Sequence, residues 1–208
     1  MEGESDRALV KAWREGDTDA GEELFARHFD AMYRFFRNKA PARCDELVQR
    51  VFRAIVEKRE ALDEVDSFRA YLFGVARFEL LRFFRECRRD ERQVDFNESS
   101  VFELDPTPSE FFGRRQELRL LQQALRRIPV ELQITIELYY WEQLSMEEIG
   151  RVSAIPAGTV KSRLHRGRKL LLEQVQRLCD RPELVGSTRE GFVDWMKEIR
   201  ALSLRSAP

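Results

Sequence analysis

Between Gly150 and Leu172 stand six lysines and arginines, Arg151, Lys161, Arg163, Arg166, Arg168 and Lys169, with no Asp or Glu among them. Cationic groups gathered in this way suit a polyanion, because each phosphate they neutralise releases condensed counterions. The concentration is local. Lys+Arg 36 against Asp+Glu 37 leaves the 208-residue chain at a net charge of only −1, so a polyanion-binding surface must come from segregated charge and not from overall basicity.

The elements that would position these cations can be read around them. Ser145 and Glu148 form a capping box, in which the hydroxyl takes a backbone N–H and the carboxylate returns to the cap amide. A short helix with Met146, Ile149 and Val152 on one face follows, and Ala154-Ile155-Pro156-Ala157-Gly158 interrupts it. Pro156 suits the first turn of a new helix, where its missing N–H would have had no partner anyway. The second helix runs from about Ala157 with Val160 and Leu164 inward. Helix, tight turn and basic helix make a helix-turn-helix, which places its second helix in the DNA major groove. A solvated basic face on an ordinary helix pair would carry the same charges. The cap, the turn and the one-sided charge together favour DNA.

A second stretch pairs rings with guanidinium groups. Phe68, Arg69, Tyr71, Phe73, Arg77, Phe78, Arg82, Phe83, Phe84, Arg85, Arg88 and Arg89 lie on one predicted helix, capped by Asp66 or Ser67. That is more aromatic surface than one buried face needs. Bases stack on rings while Arg meets phosphate, so such a helix suits single-stranded nucleic acid; a ring-rich core buried on two sides is the alternative.

The remaining chain reads as nearly all α, with helical periodicity from about Asp6. Over residues 18–40, Leu24, Phe25, Phe29, Met32, Tyr33 and Phe36 predict a core-facing stripe. Asp45 to about Arg59 repeats it with Leu47, Val48, Val51, Phe52 and Ile55. Val94 to Phe112 then holds five acids (Asp95, Glu98, Glu103, Asp105, Glu110), two prolines and no Lys or Arg. This predicts an extended acidic linker between two helical modules. Helicity resumes near Arg114 with Leu118, Leu121, Leu125 and Ile128, stops at Pro129, and continues through Leu132, Ile136, Tyr139 and Tyr140. Beyond Pro182 a final amphipathic helix is expected, with Phe192, Trp195, Met196, Ile199 and Leu202 on one face.

Composition excludes several classes. The three cysteines, Cys44, Cys87 and Cys179, are far apart and odd in number, which fits reduced cytosolic thiols and neither a disulfide framework nor a zinc site. No segment approaches the ~18 uninterrupted apolar residues of a membrane span, and the acidic N-terminus lacks a signal core. A cytoplasmic location with no membrane insertion is expected. His28 and His165 stand in no metal-ligand spacing, and no phosphate loop, nucleophile elbow or HExxH string occurs, so neither an enzyme, a cofactor nor a metal is expected.

Residues 128–172, with the string GTVKSRLHRGRKLL, resemble region 4 of bacterial sigma factors of the extracytoplasmic-function (ECF) group in the sigma-70 family. ELFARHFDAMYRFF, DELVQRVF and SFRAYLFGVARFELLRFFRECRR resemble region 2 of the same family. The resemblance implies an all-α chain of four parts: region 2 in 1–92, an acidic linker in 93–112, region 4 in 113–179, and a C-terminal extension in 180–208. It implies that Leu47, Val48, Gln49, Val51 and Phe52 bind the clamp helices of the largest subunit of core RNA polymerase. Phe68, Arg69, Tyr71, Arg77 and Arg82 would capture the unpaired minus-ten promoter strand. Lys161, Ser162, His165 and Arg166 would read the minus-thirty-five element as duplex, with Thr159 and Arg163 near phosphates. His165 by itself is an ordinary surface histidine, and its role rests on the resemblance. The linker would thread toward the RNA exit path of polymerase, and an anti-sigma factor is a further candidate partner.

Three positions depart from the family pattern. Glu46 replaces the Asp of its DLVQE-like string, Arg50 stands where an acid is common, and Phe78 follows Arg77 where Asn is common. They put the detail of polymerase contact and of the minus-ten base pocket in question. The function expected is a promoter-specificity subunit that directs transcription initiation. A stand-alone helix-turn-helix regulator, dimeric and independent of polymerase, is the alternative, and an interaction module without DNA binding is the third reading.

Overall fold

The computed structural model describes residues 2–64, 66–90, 114–178 and Met196. Among these it is all-α, with no strand. The helices are α1 (Glu2–Arg14), α2 (Thr18–Arg37), α3 (Cys44–Glu57), α4 (Phe68–Asp90), α5 (Arg114–Arg126), α6 (Val130–Tyr140), α7 (Met146–Ser153) and α8 (Ala157–Leu178), with short 3-10 turns at Pro41–Arg43 and Arg59–Glu64. The described residues gather into two compact units, one from 1–92 with 147–156, the other from 93–146 with 157–208. The expected acidic linker lies outside the described residues, as does the expected C-terminal helix apart from buried Met196.

In the first unit, Asp17 starts α2 by accepting the N–H groups of Asp19 at 3.0 Å and Ala20 at 3.1 Å. The helix then buries Leu24, His28, Ala31, Met32, Phe35 and Phe36 against α3, which contributes Leu47, Val48, Val51 and Ile55. From α4 come Phe68, Leu72, Phe73, Ala76, Leu80 and Phe84. The stripe expected on α2 is corrected at one edge. Phe25 and Tyr33 are half-buried and Phe29 is 47% exposed. These three follow one another at four-residue steps, about 100° round the helix from Leu24, His28 and Met32. Their rings cover one another and Phe52 instead of the centre.

The first helix, which periodicity marked only as a beginning, proves to be a clamp on α2. Its Trp13 is buried, meets Phe25 edge-on at 5.2 Å, and lies across Gly21. A Cβ at Gly21 would come within 2.5 Å of Trp13 Cδ1, so the close approach of α1 and α2 depends on this glycine. A buried polar pair fastens the other end: Asp6 hydrogen-bonds His28 Nε2 at 2.7 Å and accepts from Arg27 Nη1 at 2.8 Å. Burial pushes the Asp6 carboxyl up, but the His28 and Arg27 contacts outweigh it and hold it below its ordinary 3.8. A depressed folded-state pKa means that the stabilisation is complete above about pH 4 and is lost as pH falls through the lower folded value.

In the second unit α6 is the central helix, with every residue from Leu132 to Leu138 buried. Two of its buried side chains donate within the helix, Thr135 Oγ1 to the Glu131 carbonyl at 2.7 Å and Gln133 Nε2 to Glu137 Oε1 at 3.1 Å. Across it lies α8, which buries Val160, Leu164, Gly167, Leu171 and Val175 at steps of three and four. A Cβ at Gly167 would stand 2.9 Å from Ile136 Cδ1 and 3.5 Å from Leu132 Cβ, so glycine sets how closely the two helices meet.

Gly21→Ala tests the α1 clamp by its sign. Ala is the better helix former by roughly 0.8–1 kcal/mol, yet overpacking against a buried indole costs about 1–3 kcal/mol. A lower urea midpoint is expected; a higher one would show that Trp13 does not lie across Gly21.

Candidate nucleic-acid and polymerase interfaces

The basic helix is built by its two faces. Opposite the apolar stripe of α8, Lys161, Ser162, His165, Arg166 and Lys169 are all exposed. At 100° per residue they fall within an arc of about 140°. Thr159 is exposed in the first turn, where backbone N–H groups have no intrahelical partner and favour an anion. Ser162 Oγ donates to the Gly158 carbonyl at 3.2 Å while still facing solvent. Arg163 differs from its neighbours. It is half-buried and pairs with Glu131 of α6 at 3.2 Å, at the edge of the exposed arc.

The helix before it ends as the turn requires. The Ile155 N–H donates to the Gly150 carbonyl at 2.9 Å and the Ala154 N–H to the Arg151 carbonyl at 3.3 Å, the paired bonds of a Schellman cap. This cap needs a left-handed residue, and Ala154 supplies it at φ 54°.

On α4 the predicted surplus of rings narrows. Ser67 Oγ accepts the Ala70 N–H at 3.2 Å, so Ser67 is the cap. Phe68 is buried, with its ring 5.4 Å from that of His28, so it is a core residue here and offers no stacking surface. Phe73 and Phe84 are buried too. Of the other expected strand-binding residues, Arg69, Tyr71 and Arg77 are half-exposed, and Arg82 is exposed with Glu86 at 2.9 Å and Glu79 at 3.9 Å. The one large ring of α4 that stands in solvent is Phe78, 56% exposed, which the resemblance marked only as a departure.

A similar correction applies on α3. Leu47, Val48 and Val51 are at most 3% exposed, so they support a partner surface from beneath and do not form it. Gln49 is exposed and Phe52 half-exposed. Around them lies a ladder of rings that periodicity had assigned to the core: Phe25 and Phe52 centroids are 4.9 Å apart, and Phe29 stacks on Phe52 at 6.3 Å and on Tyr33 at 6.2 Å. Val56, one turn on from Phe52, is 50% exposed. Helix periodicity shows that a face is apolar but not whether the protein itself covers it. The departure at Arg50 has a structural account. Its guanidinium turns inward to Glu46 at 2.6 Å and Glu86 at 3.1 Å, tying α3 to α4, and Glu86 also accepts from Arg82. Those hydrogen bonds from Arg50 and Arg82 hold the Glu86 carboxyl below its usual range.

The described residues contain no group of three His, Cys, Asp or Glu placed to hold a metal ion, and no helix long and apolar enough to cross a membrane.

Ala154→Gly tests the turn. A left-handed non-glycine residue costs roughly 1–2 kcal/mol, partly offset by the greater unfolded-state freedom of glycine, so a net gain of under about 1 kcal/mol is expected in denaturation. A loss would contradict the left-handed turn.

Comparison with known proteins places both halves. The sigma-70 region 2 model matches residues 24–90, and the sigma-70 region 4 model matches 118–171. ECF RNA polymerase sigma factor SigF of Caulobacter vibrioides (strain NA1000 / CB15N) is 31% identical over 175 residues, spanning 82% of this chain and 94% of the relative. ECF sigma factor SigW of Bacillus subtilis (strain 168) is 26% identical over 181 residues, 81% of this chain and 96% of its own. Among solved structures, CnrH in complex with the cytosolic domain of CnrY shares the fold at a TM-score of 0.62 and 21% identity, over 83% of this chain and 98% of that one. RpoE from Bartonella quintana, solved with the anti-sigma factor NepR, matches at 0.62 and 20% identity over 77% and 98%. With both region models in their order and a relative of this identity matched almost end to end, the chain belongs to the ECF RNA polymerase sigma factors of the sigma-70 family, which confer promoter recognition and initiate transcription.

Proposed function

We propose that this sigma factor reads its promoter at two points and holds core RNA polymerase at a third. The residues proposed to read the minus-thirty-five duplex are Lys161, Ser162, His165 and Arg166, with Thr159 and the α8 N-terminus on phosphate. The observation that carries this reading is the two-sidedness of α8, apolar where it meets α6 and uninterruptedly polar and cationic opposite. Arg163 reaches phosphate only by leaving Glu131, so its part is the smaller. For the minus-ten strand the proposed contacts are Arg69, Tyr71, Arg77 and Arg82, with Phe68 beneath them.

The polymerase-binding surface is proposed to be Gln49 and Phe52 together with the exposed rungs Phe29 and Val56, supported from below by Leu47, Val48 and Val51. Its partner is the clamp helices of the largest subunit. The layout is region 2 in 1–92, the acidic linker in 93–112, region 4 in 113–179 and an extension in 180–208. The chain is regulatory and leaves the chemistry to polymerase, in the cytoplasm. Because a structural neighbour was solved with an anti-sigma factor, that class of partner is extended to this chain as well. A polymerase-independent regulator is not favoured, since the module that it would use for dimerisation or sensing matches sigma-70 region 2.

Run-off transcription with purified core polymerase on genomic fragments tests the whole: specific start sites are expected only when the chain is added, and none would refute it. Arg166→Ala should weaken binding of the upstream element by about 5- to 150-fold, the equivalent of ~1–3 kcal/mol, and leave core-polymerase affinity unchanged. The double variant Phe29→Asp with Val56→Asp should do the reverse, lowering core affinity at least about tenfold.

A further inference from the structure

The ion pair between Arg163 and Glu131 stands where two demands on α8 meet. Arg163 follows Val160 and precedes Arg166 by three residues, so it lies about 60° round the helix from each, between a buried side chain and an exposed one. Thr159, one turn back, is exposed on the same border. From this place a guanidinium can extend beside Arg166 toward a DNA backbone, or fold back onto α6. It folds back: Arg163 Nη1 donates to Glu131 Oε2 at 3.2 Å, and the two side chains are 26% and 30% exposed. Lys161, His165, Arg166 and Lys169, by contrast, stand exposed. The pair is not what holds the two helices together. Val160, Leu164, Leu171 and Val175 fill the contact, and at Gly167 Ile136 leaves no room for a Cβ. A part-exposed ion pair adds little to stability, because water screens it and two long side chains must be ordered to form it. What it does change is the charge offered to solvent, since a cation already neutralised by a carboxylate releases no counterion from DNA.

We infer that Glu131 is a built-in limit on DNA affinity: it holds Arg163 against α6 and so keeps one phosphate contact from the upstream reader. The inference rests on the proposed binding of the upstream duplex by α8. Glu131 is then a positioning residue that acts through Arg163 and sets how tightly the subunit holds any duplex. The choice of sequence is left to Lys161, Ser162, His165 and Arg166. Phosphate contacts carry no sequence information of their own, so a released Arg163 would strengthen binding to promoter and non-promoter DNA alike.

The experiment uses holoenzyme assembled from the full chain and core polymerase. The DNA is a duplex promoter located by run-off transcription, and the same promoter with its upstream element scrambled. Affinities are measured between about 50 and 200 mM salt, a range over which one phosphate contact loses roughly threefold. Glu131→Gln keeps the size of the side chain and removes its charge; Glu131→Ala removes the acceptor altogether. Both variants should bind both duplexes roughly threefold more tightly at the lowest salt. The slope of log affinity against log salt should steepen by about 0.9, the value of one added phosphate contact. In a chain already carrying Arg163→Ala, neither Glu131 variant should steepen the slope, because no guanidinium is there to be released. Weaker binding by the Glu131 variants would overturn the inference, since it would show that the pair orients α8 for DNA. Steepening that persists with Arg163→Ala would overturn it too, since the effect would then not pass through Arg163. If wild type prefers the intact upstream element and the Glu131 variants keep its slope, the inference fails alone. If wild type does not distinguish the intact element from the scrambled one, the reading of α8 fails with it.

Discussion

The contact of α8 with α6 is the constraint on which the upstream reader depends. A helix that is cationic on one side holds its orientation only if the other side is committed to a core. Here the commitment is made by Val160, Leu164, Leu171 and Val175, with Gly167 letting the helices approach until Ile136 leaves no room for a Cβ there. Leu and Val of this size each contribute roughly 1.5–3 kcal/mol on burial, more than any exposed charge pair on the opposite face could oppose. Rotation of α8 by even one residue would bring Lys161 toward the core. The cationic arc is therefore held toward solvent by apolar packing, and the ion pair from Arg163 to Glu131 marks its edge.

The first unit solves a different problem. It must keep apolar rings available without collapsing them into its own centre. Its core is already filled by Phe35, Phe36, Phe73, Leu47 and Leu72, and α1 closes one side through Trp13 and the buried Asp6 and His28 pair. What is left over is displayed in two places. Phe29, Phe52 and Val56 form a surface on α2 and α3, and Phe78 stands in solvent on α4. Arg50 shows how a changed charge can be absorbed: with Glu46 and Glu86 beside it, the guanidinium ties two helices together.

Much of this was legible in the sequence, for identifiable reasons. Ser145 and Glu148, Pro156, Ser67 and the period of Val160 and Leu164 carry local physics, and each helix they mark is found where expected. The exposed positions Lys161, Ser162, His165 and Arg166 follow from the same period. Side-specific burial was less legible. Leu47, Val48 and Val51 lie beneath the surface that they were expected to form, Phe68 is inside, and Phe29 is outside. An apolar stripe wider than one contact face has two edges, and only the neighbouring helices decide which edge is covered. The clamp by α1 was missed because Trp13 over Gly21 and Asp6 beside His28 are contacts between helices. Neither leaves a trace in local spacing.

The central claim is that the chain opens promoter DNA only as a subunit of polymerase. Permanganate reactivity of thymines in a duplex promoter, measured with the chain alone, core alone and both together, tests this directly. Reactive thymines confined to one short segment, seen only when both are present, are the predicted result. Tight duplex binding by a dimer of the chain, unchanged by core polymerase and without reactive thymines, would contradict it.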